Sequence, residues 1–136
     1  MVFGDDETVI PSVRRNIFDK DRQVMKSVIF SYAQTASQQF DAIFGGKKVF
    51  DNPKDHEVLA RLIRYVTLPD SEPIVLDFFA GSGTTAHAVV AQNASDAGSR
   101  KFIVVQLPEP LDPESKEQRI AAAFCDRLGV PRNIAE

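Results

Sequence analysis

The stretch Asp77 to Ala88, DFFAGSGTTAHA, limits the folds open to this chain more than any other. It closes an apolar run from Ile74 to Phe79 that only Asp77 interrupts, and such a run predicts a central strand of a parallel sheet, covered on both faces. Gly81 and Gly83 lack a β-carbon, so the backbone can turn sharply there and its amides can be approached closely. Ala86, Ala88, Val89 and Val90 then predict a helix beginning near Ser82. Residues 93–99, NASDAGS, read as a polar loop, and Lys101 to Leu107 as a second strand that Pro108-Glu109-Pro110 stops. Asp112 and Pro113 predict the start of a last helix, lined by Ile120, Phe124 and Leu128 and closed by Gly129 and Pro131. Strand, helix, strand, helix implies an α/β protein with a right-handed crossover and an open parallel sheet.

Upstream of this unit the signals are weaker. Residues 1–23 carry many Asp, Arg and Lys side chains and read as a loop-like segment. Residues 24–32, VMKSVIFSY, are apolar enough to be buried. Ser37 to Phe44 predicts a short helix with Phe40, Ile43 and Phe44 on one face, ended by Gly45-Gly46. Asn52 is the expected cap of the next helix, with Pro53 in its first turn and Asp55 at its positive end. Val58, Leu59, Leu62, Ile63 and Val66 form its buried stripe, and Pro69, Asp70 and Ser71 break it.

At 136 residues the chain is one domain that can bury a core without staples. Its net charge of −3 argues against strong nucleic-acid binding by this polypeptide alone, because phosphate contacts need clustered Lys and Arg. Arg14, Arg15, Arg22 and Lys26 are candidates for such contacts, but Asp19 and Asp21 lie among them and favour a solvated face. The single cysteine, Cys125, excludes an internal disulfide and a thiolate metal cluster, and its place on an apolar stripe reads as packing. His56 and His87 have no acid or cysteine partners at ligand spacing, so no metal site is expected. His56 reads as solvent-facing, His87 as packing or surface. No apolar stretch reaches membrane-spanning length and no signal peptide opens the chain, which makes the cytoplasm the default compartment.

In an open α/β sheet ligands bind beyond the carboxyl ends of strands, and the glycine turn lies at such an end. The following helix offers free N–H groups and a positive dipole end, and Thr84 and Thr85 add hydroxyl donors. A P-loop fits poorly, because it needs Gly-Lys-Ser/Thr and no lysine stands near. Gly81-Ser82-Gly83-Thr84-Thr85-Ala86 satisfies the loose dinucleotide pattern, but the Asp77 carboxylate opposes a pyrophosphate, and Gln106 stands where a ribose-binding acid is expected. S-adenosylmethionine fits the charges better, with Asp77 near its amino group or sulfonium and the helix end and threonines at its carboxylate.

These residues carry a resemblance. DFFAGSGTT, preceded by Phe50-Asp51-Asn52-Pro53-Lys54 and followed by Arg100-Lys101-Phe102-Ile103-Val104-Val105-Gln106-Leu107-Pro108-Glu109, closely resembles the modification subunit of type III restriction–modification systems. Phe3-Gly4-Asp5-Asp6 with Pro11 looks more weakly like the end of that family's recognition region. The family comprises adenine-N6 DNA methyltransferases of the permuted group, in which the catalytic motif precedes the methyl-donor motif. The resemblance implies a Rossmann-like, partial methyltransferase sheet with flanking helices. It divides the chain into the end of a recognition region, 1–48, and a donor-binding part, 49–136. Carried over, Asp77, Phe78, Ala80, Gly81, Gly83, Thr84 and Thr85 are donor contacts, Pro53 and Lys54 lie beside the methionine end, and Gln106 lies near the ribose. Asp55 departs from the family's second proline, and Gln106 from the Glu of the wider group.

Adenine methylation in this family uses an Asn/Asp-Pro-Pro-Tyr/Phe loop that grips a flipped base. No Pro-Pro dipeptide occurs in this sequence, so no catalytic residue is assigned. The expectation is a C-terminal portion of a longer enzyme that binds the donor but does not methylate DNA alone. The resemblance further implies DNA as a partner of the intact enzyme, pairing between modification subunits, and a restriction subunit. A nicotinamide-binding oxidoreductase fragment and a non-catalytic assembly module are the alternatives.

Overall fold

A computed structural model describes residues 27–135 as four helices and a two-stranded parallel sheet, an α/β arrangement. The motifs at Phe3 to Asp6, Pro11 and the basic side chains up to Lys26 lie outside the described residues. The elements are α1 (Ala33–Ile43), α2 (His56–Val66), a 3-10 turn (Pro69–Ser71), β1 (Ile74–Asp77), α3 (Thr84–Asp96), β2 (Lys101–Val104) and α4 (Arg119–Leu128). Among the described residues no helix is long and apolar enough to cross a membrane.

β1 and β2 pair in parallel with Ile74 opposite Lys101 and Asp77 opposite Val104. The ladder runs past both ends, through Lys101 N–H to Pro73 C=O (2.8 Å), Val105 N–H to Asp77 C=O (2.8 Å) and Ala80 N–H to Val105 C=O (3.0 Å). The expected cover on both faces is not found: Val75 and Asp77 are half-buried, while Ile74, Leu76 and all of β2 are exposed. Only the face toward the helices is packed. There Ile63 of α2 meets Ala88 and Val89 of α3, with Leu59, Ala60 and Val75 around them. Ala88 lets the two helices approach, and the fully buried Val89 contributes roughly 1.5–3 kcal/mol by leaving water.

Several expected boundaries move for identifiable reasons. Asp55, rather than Asn52, caps α2, because its carboxylate accepts from the N–H groups of Glu57 (2.8 Å) and Val58 (3.3 Å). Asn52 instead takes a left-handed conformation, φ +52°. Burial opposes the charge on Asp55, but hydrogen bonds from Ser31 and these two amides outweigh it and hold the carboxyl below its usual range. Val66, at the end of the stripe, is exposed, as are Val28, Phe30 and Tyr32 of the segment expected to be buried. α1 begins at Ala33, four residues early, and Ile43 points to solvent while Phe40 and Phe44 pack together with ring centroids 5.0 Å apart. α4 begins only at Arg119, since the Asp112 carboxylate closes a local turn on Glu114 N–H (2.9 Å). Its buried positions are Ala122 and Cys125 rather than Ile120 and Leu128.

Helix α3 continues to Asp96, through residues that read as a loop, because Arg100 uses them. The Arg100 side chain is buried, and its guanidinium meets both Asp96 oxygens (2.8 and 2.9 Å), Asn93 Oδ1 (3.3 Å) and Thr67 Oγ1 (2.6 Å). Asn93 also bonds the Arg100 carbonyl (2.8 Å) and N–H (3.1 Å). This knot ties the ends of α2 and α3 to the start of β2. A β-carbon on Gly98 would collide with the guanidinium, so crowding rather than backbone angle explains that glycine.

At the other end of the helix pair, His56 and His87 stack with ring centroids 4.1 Å apart and planes 7° from parallel. His56 is thus half-buried against α3 rather than solvent-facing. Both rings sit in the first turns of their helices, where the dipole disfavours positive charge. Burial, and then the neighbouring His56, lower the His87 pKa below its ordinary 6.5.

Two pH responses follow. The hydrogen bond from Arg100 holds the Asp96 carboxyl down from 3.8 to about 2, so its stabilisation is complete above pH 3.8 and is lost as pH falls toward 2. Melting temperatures of wild type and Asp96→Asn should therefore differ most above that window and converge within it. A depressed histidine has the opposite chemistry: the unfolded chain takes up the proton first, so stability declines as pH falls below 6.5. Melting curves at pH 7.5 and 5.5 should show a smaller decline for His87→Gln than for wild type.

Candidate functional site

The turn between β1 and α3 is shaped by side chains that accept from its own amides and hydroxyls. The Asp77 carboxylate accepts from Phe79 N–H (3.0 Å) with one oxygen and from the Thr85 hydroxyl (2.5 Å) with the other. Gly81, at φ +51°, donates its N–H to Gln106 Oε1 (2.8 Å), which links the turn to the residues just beyond β2. Gly83, at φ +70°, donates to the Ala80 carbonyl (2.8 Å), accepts from His87 N–H (3.1 Å) and stands at the N-cap of α3. The helix therefore begins at Thr84, two residues later than expected. Thr84 is buried and shares a 2.7 Å hydrogen bond with the Ser82 hydroxyl.

Over this turn lies a cavity of about 670 Å³, within the range typical of small-molecule sites. Ala80, Gly81, Ser82 and Gly83 form one side of it, and Val104 and Gln106 continue that side along β2. Much of the remaining lining is aromatic, and Phe50 abuts the glycine turn at Gly81. Phe40 meets Phe50 edge-on at 6.3 Å, and Phe44 meets Phe124 edge-on at 5.3 Å, so α1, the 49–51 segment and α4 converge there. Lys48, Asp51, Glu117 and Gln118 also line the cavity, and Lys48 and Asp51 form an ion pair at 2.6 Å. The hydrogen bond to Asp51 raises the Lys48 pKa, so the lysine stays charged.

Of the residues singled out in the sequence, Ala80, Gly81, Gly83 and Gln106 line the cavity. Asp77, Thr84 and Thr85 lie behind that surface as its internal frame, and Phe78 is exposed on the loop. Pro53 is buried and Lys54 exposed, both outside the cavity wall. Sequence reasoning did not select Phe40, Phe44, Phe50, Phe124 or Glu117. The i, i+4 spacing of Phe40 and Phe44 marks a common helix face, but no local signal says that this face meets the glycine turn. Among the described residues no group of three or more His, Cys, Asp or Glu side chains is placed to hold a metal ion.

Residues 11–107 match the N6/N4 family described as DNA methylase. Similar proteins include the Mod subunit of the type III restriction-modification enzyme EcoP15I of Escherichia coli, 39% identical over 117 residues, which make up 85% of this chain and 18% of that protein. The type II methyltransferase M.KpnI of Klebsiella pneumoniae is 44% identical over 80 residues, 59% of this chain and 18% of its own length. The Mod subunit of the type III enzyme StyLTI of Salmonella typhimurium is 48% identical over 87 residues, 64% of this chain and 13% of that protein. The chain thus spans less than a fifth of these relatives.

A β-carbon on Gly81 would stand 3.3 Å from Phe50 Cζ, whereas one on Gly46, also in the left-handed region at φ +77°, meets nothing within 4 Å. Gly46→Ala should lose about 1–2 kcal/mol in urea denaturation from backbone strain alone. Gly81→Ala should lose measurably more, because it also displaces the aromatic wall.

Proposed function

Because the chain belongs to the N6/N4 DNA methylase family, we propose that it binds S-adenosylmethionine in the cavity over Gly81 and provides the donor-binding side of an adenine-N6 DNA methyltransferase. The observation that carries this reading is the cavity itself: a glycine turn at a strand end, an aromatic wall and charged side chains in one space of about 670 Å³. An adenosine needs a flat apolar wall, and an amino-acid end needs opposite charges within reach, as Lys48 and Asp51 provide. The residues present therefore fit the group in size and chemistry.

The roles of the chain's own atoms follow from the geometry. Gly81 and Gly83 keep the floor free of side chains, and Phe40, Phe44, Phe50 and Phe124 keep water from the apolar part. Asp77 holds the turn rigid through Phe79 and Thr85, so the floor is pre-shaped before anything binds. The bound donor supplies a methyl group already activated on a sulfonium, which leaves alignment and partial-charge stabilisation as the protein's main tasks. We assign residues 49–136 to a Rossmann-like donor-binding part and residues 1–48 to the end of a recognition region, with Phe40 and Phe44 reaching across to the cavity. The base-gripping loop, DNA, a second modification subunit and a restriction subunit belong to the intact cytoplasmic enzyme on this reading.

A nicotinamide dinucleotide fits less well. Its pyrophosphate needs free amides on the glycine turn, and the Gly81 N–H is already taken by Gln106. S-adenosylhomocysteine at about 100 times its Kd should stabilise the chain by about 2.7 kcal/mol in a thermal-shift assay, and NAD should leave the melting temperature unchanged. With labelled S-adenosylmethionine the purified chain should transfer no methyl group to duplex DNA; transfer would overturn the placement of the base-gripping loop outside it.

A further inference from the structure

The neutral side-chain acceptors that line the cavity, Ser82, Gln106, Gln118 and Asn133, each already hold one internal hydrogen bond. A ribose diol presents two hydroxyl protons, and each needs an acceptor when taken out of water. Gln106, just beyond β2, has one lone pair of its carbonyl occupied by the Gly81 N–H (2.8 Å). Its amide nitrogen, 3.3 Å from the Leu107 carbonyl, can only donate. Gln106 therefore gives to a sugar oxygen more readily than it receives two sugar protons. Cys125, which also lines the cavity, is a weak acceptor.

Two carboxylates line the same space, Asp51 and Glu117. Asp51 is paired with Lys48 at 2.6 Å, and that pair is assigned above to the amino-acid end of the donor. Glu117 forms no ion pair among the described residues; one of its oxygens accepts from the Ser115 hydroxyl (3.0 Å). The segment that carries it is well held. The Gln118 side chain accepts from Asp112 N–H (2.8 Å), Arg119 N–H bonds the Ser115 carbonyl (2.9 Å), and Pro110 bridges to Asn133. Glu117 also lies beyond residue 107, where the family match ends, so membership of the family does not assign it a role.

We propose that Glu117 accepts the ribose hydroxyls of the methyl donor, with Gln106 as the complementary donor, so that the acid lies on the approach to α4 rather than just beyond β2. The proposal rests on the donor-binding reading above. A charged acceptor for two hydroxyls discriminates strongly, because charge-assisted hydrogen bonds are about twice as strong as neutral ones.

The test is calorimetric titration of the purified chain with S-adenosylhomocysteine and with its 2′,3′-dideoxy analogue, for wild type, Glu117→Ala and Glu117→Gln. Glu117 is exposed, so the variants should fold, and circular dichroism checks this. Wild type should prefer the hydroxylated ligand. Glu117→Ala should weaken it by roughly tenfold to a hundredfold while leaving the dideoxy analogue's affinity unchanged, and Glu117→Gln should fall between. If wild type binds and Glu117→Ala binds equally well, or weakens both ligands alike, the assignment of Glu117 is overturned while the donor-binding reading stands. If wild type binds neither ligand, both fall.

Discussion

Everything at the candidate site depends on side-chain acceptors satisfying the donors of the glycine turn. Asp77 uses both oxygens on the loop, one on Phe79 N–H and one on Thr85, and Gln106 crosses from the second strand to hold Gly81. Two left-handed glycines without those anchors would be a flexible hinge. With them, the turn is a fixed surface against which an aromatic wall can be set. The polar character of the DFFAGSGTT stretch is thus spent largely on building the floor of the cavity, and a ligand meets glycine backbone and neighbouring side chains before it meets the aspartate.

The frame beneath is small but closed at both ends. Ile63, Ala88 and Val89 form the apolar contact between α2 and α3, and the Arg100 knot secures the far ends of the two helices to the second strand. The stacked histidines occupy the near ends. Because Gly83 caps α3, whatever steadies that helix steadies the turn as well. The cavity's other wall comes from residues distant in sequence, so the site joins one local motif to three remote segments.

That division explains what could be read from the sequence. The β1–turn–α3–β2 order was legible because each step has a local cause: an apolar run, glycines that reach left-handed angles, small helix-forming residues and a second apolar run. The parallel pairing of β1 and β2 follows from that order. Asp55 displaced Asn52 as the cap because two candidates lay three residues apart, and only the geometry of Glu57 and Val58 decides between them. The extension of α3 was hidden because Asn93 and Asp96 look like loop residues until a buried guanidinium recruits them. Phe40, Phe44 and Phe124 were readable as apolar helix positions, but their meeting across the cavity is a long-range event with no signature in any one segment.

The two-stranded ribbon carries a further implication. Val75 packs on its helix side, but Ile74, Leu76 and Ile103 share the other face and lie against solvent on strands that are both edges in the described sheet. Water beside such a plane is ordered at a free-energy penalty, and any second greasy surface that meets it releases that water. Kosmotropic salts such as sulfate strengthen this tendency. An apolar face on strands whose edges are unpaired in the described sheet is a template for association with a further strand.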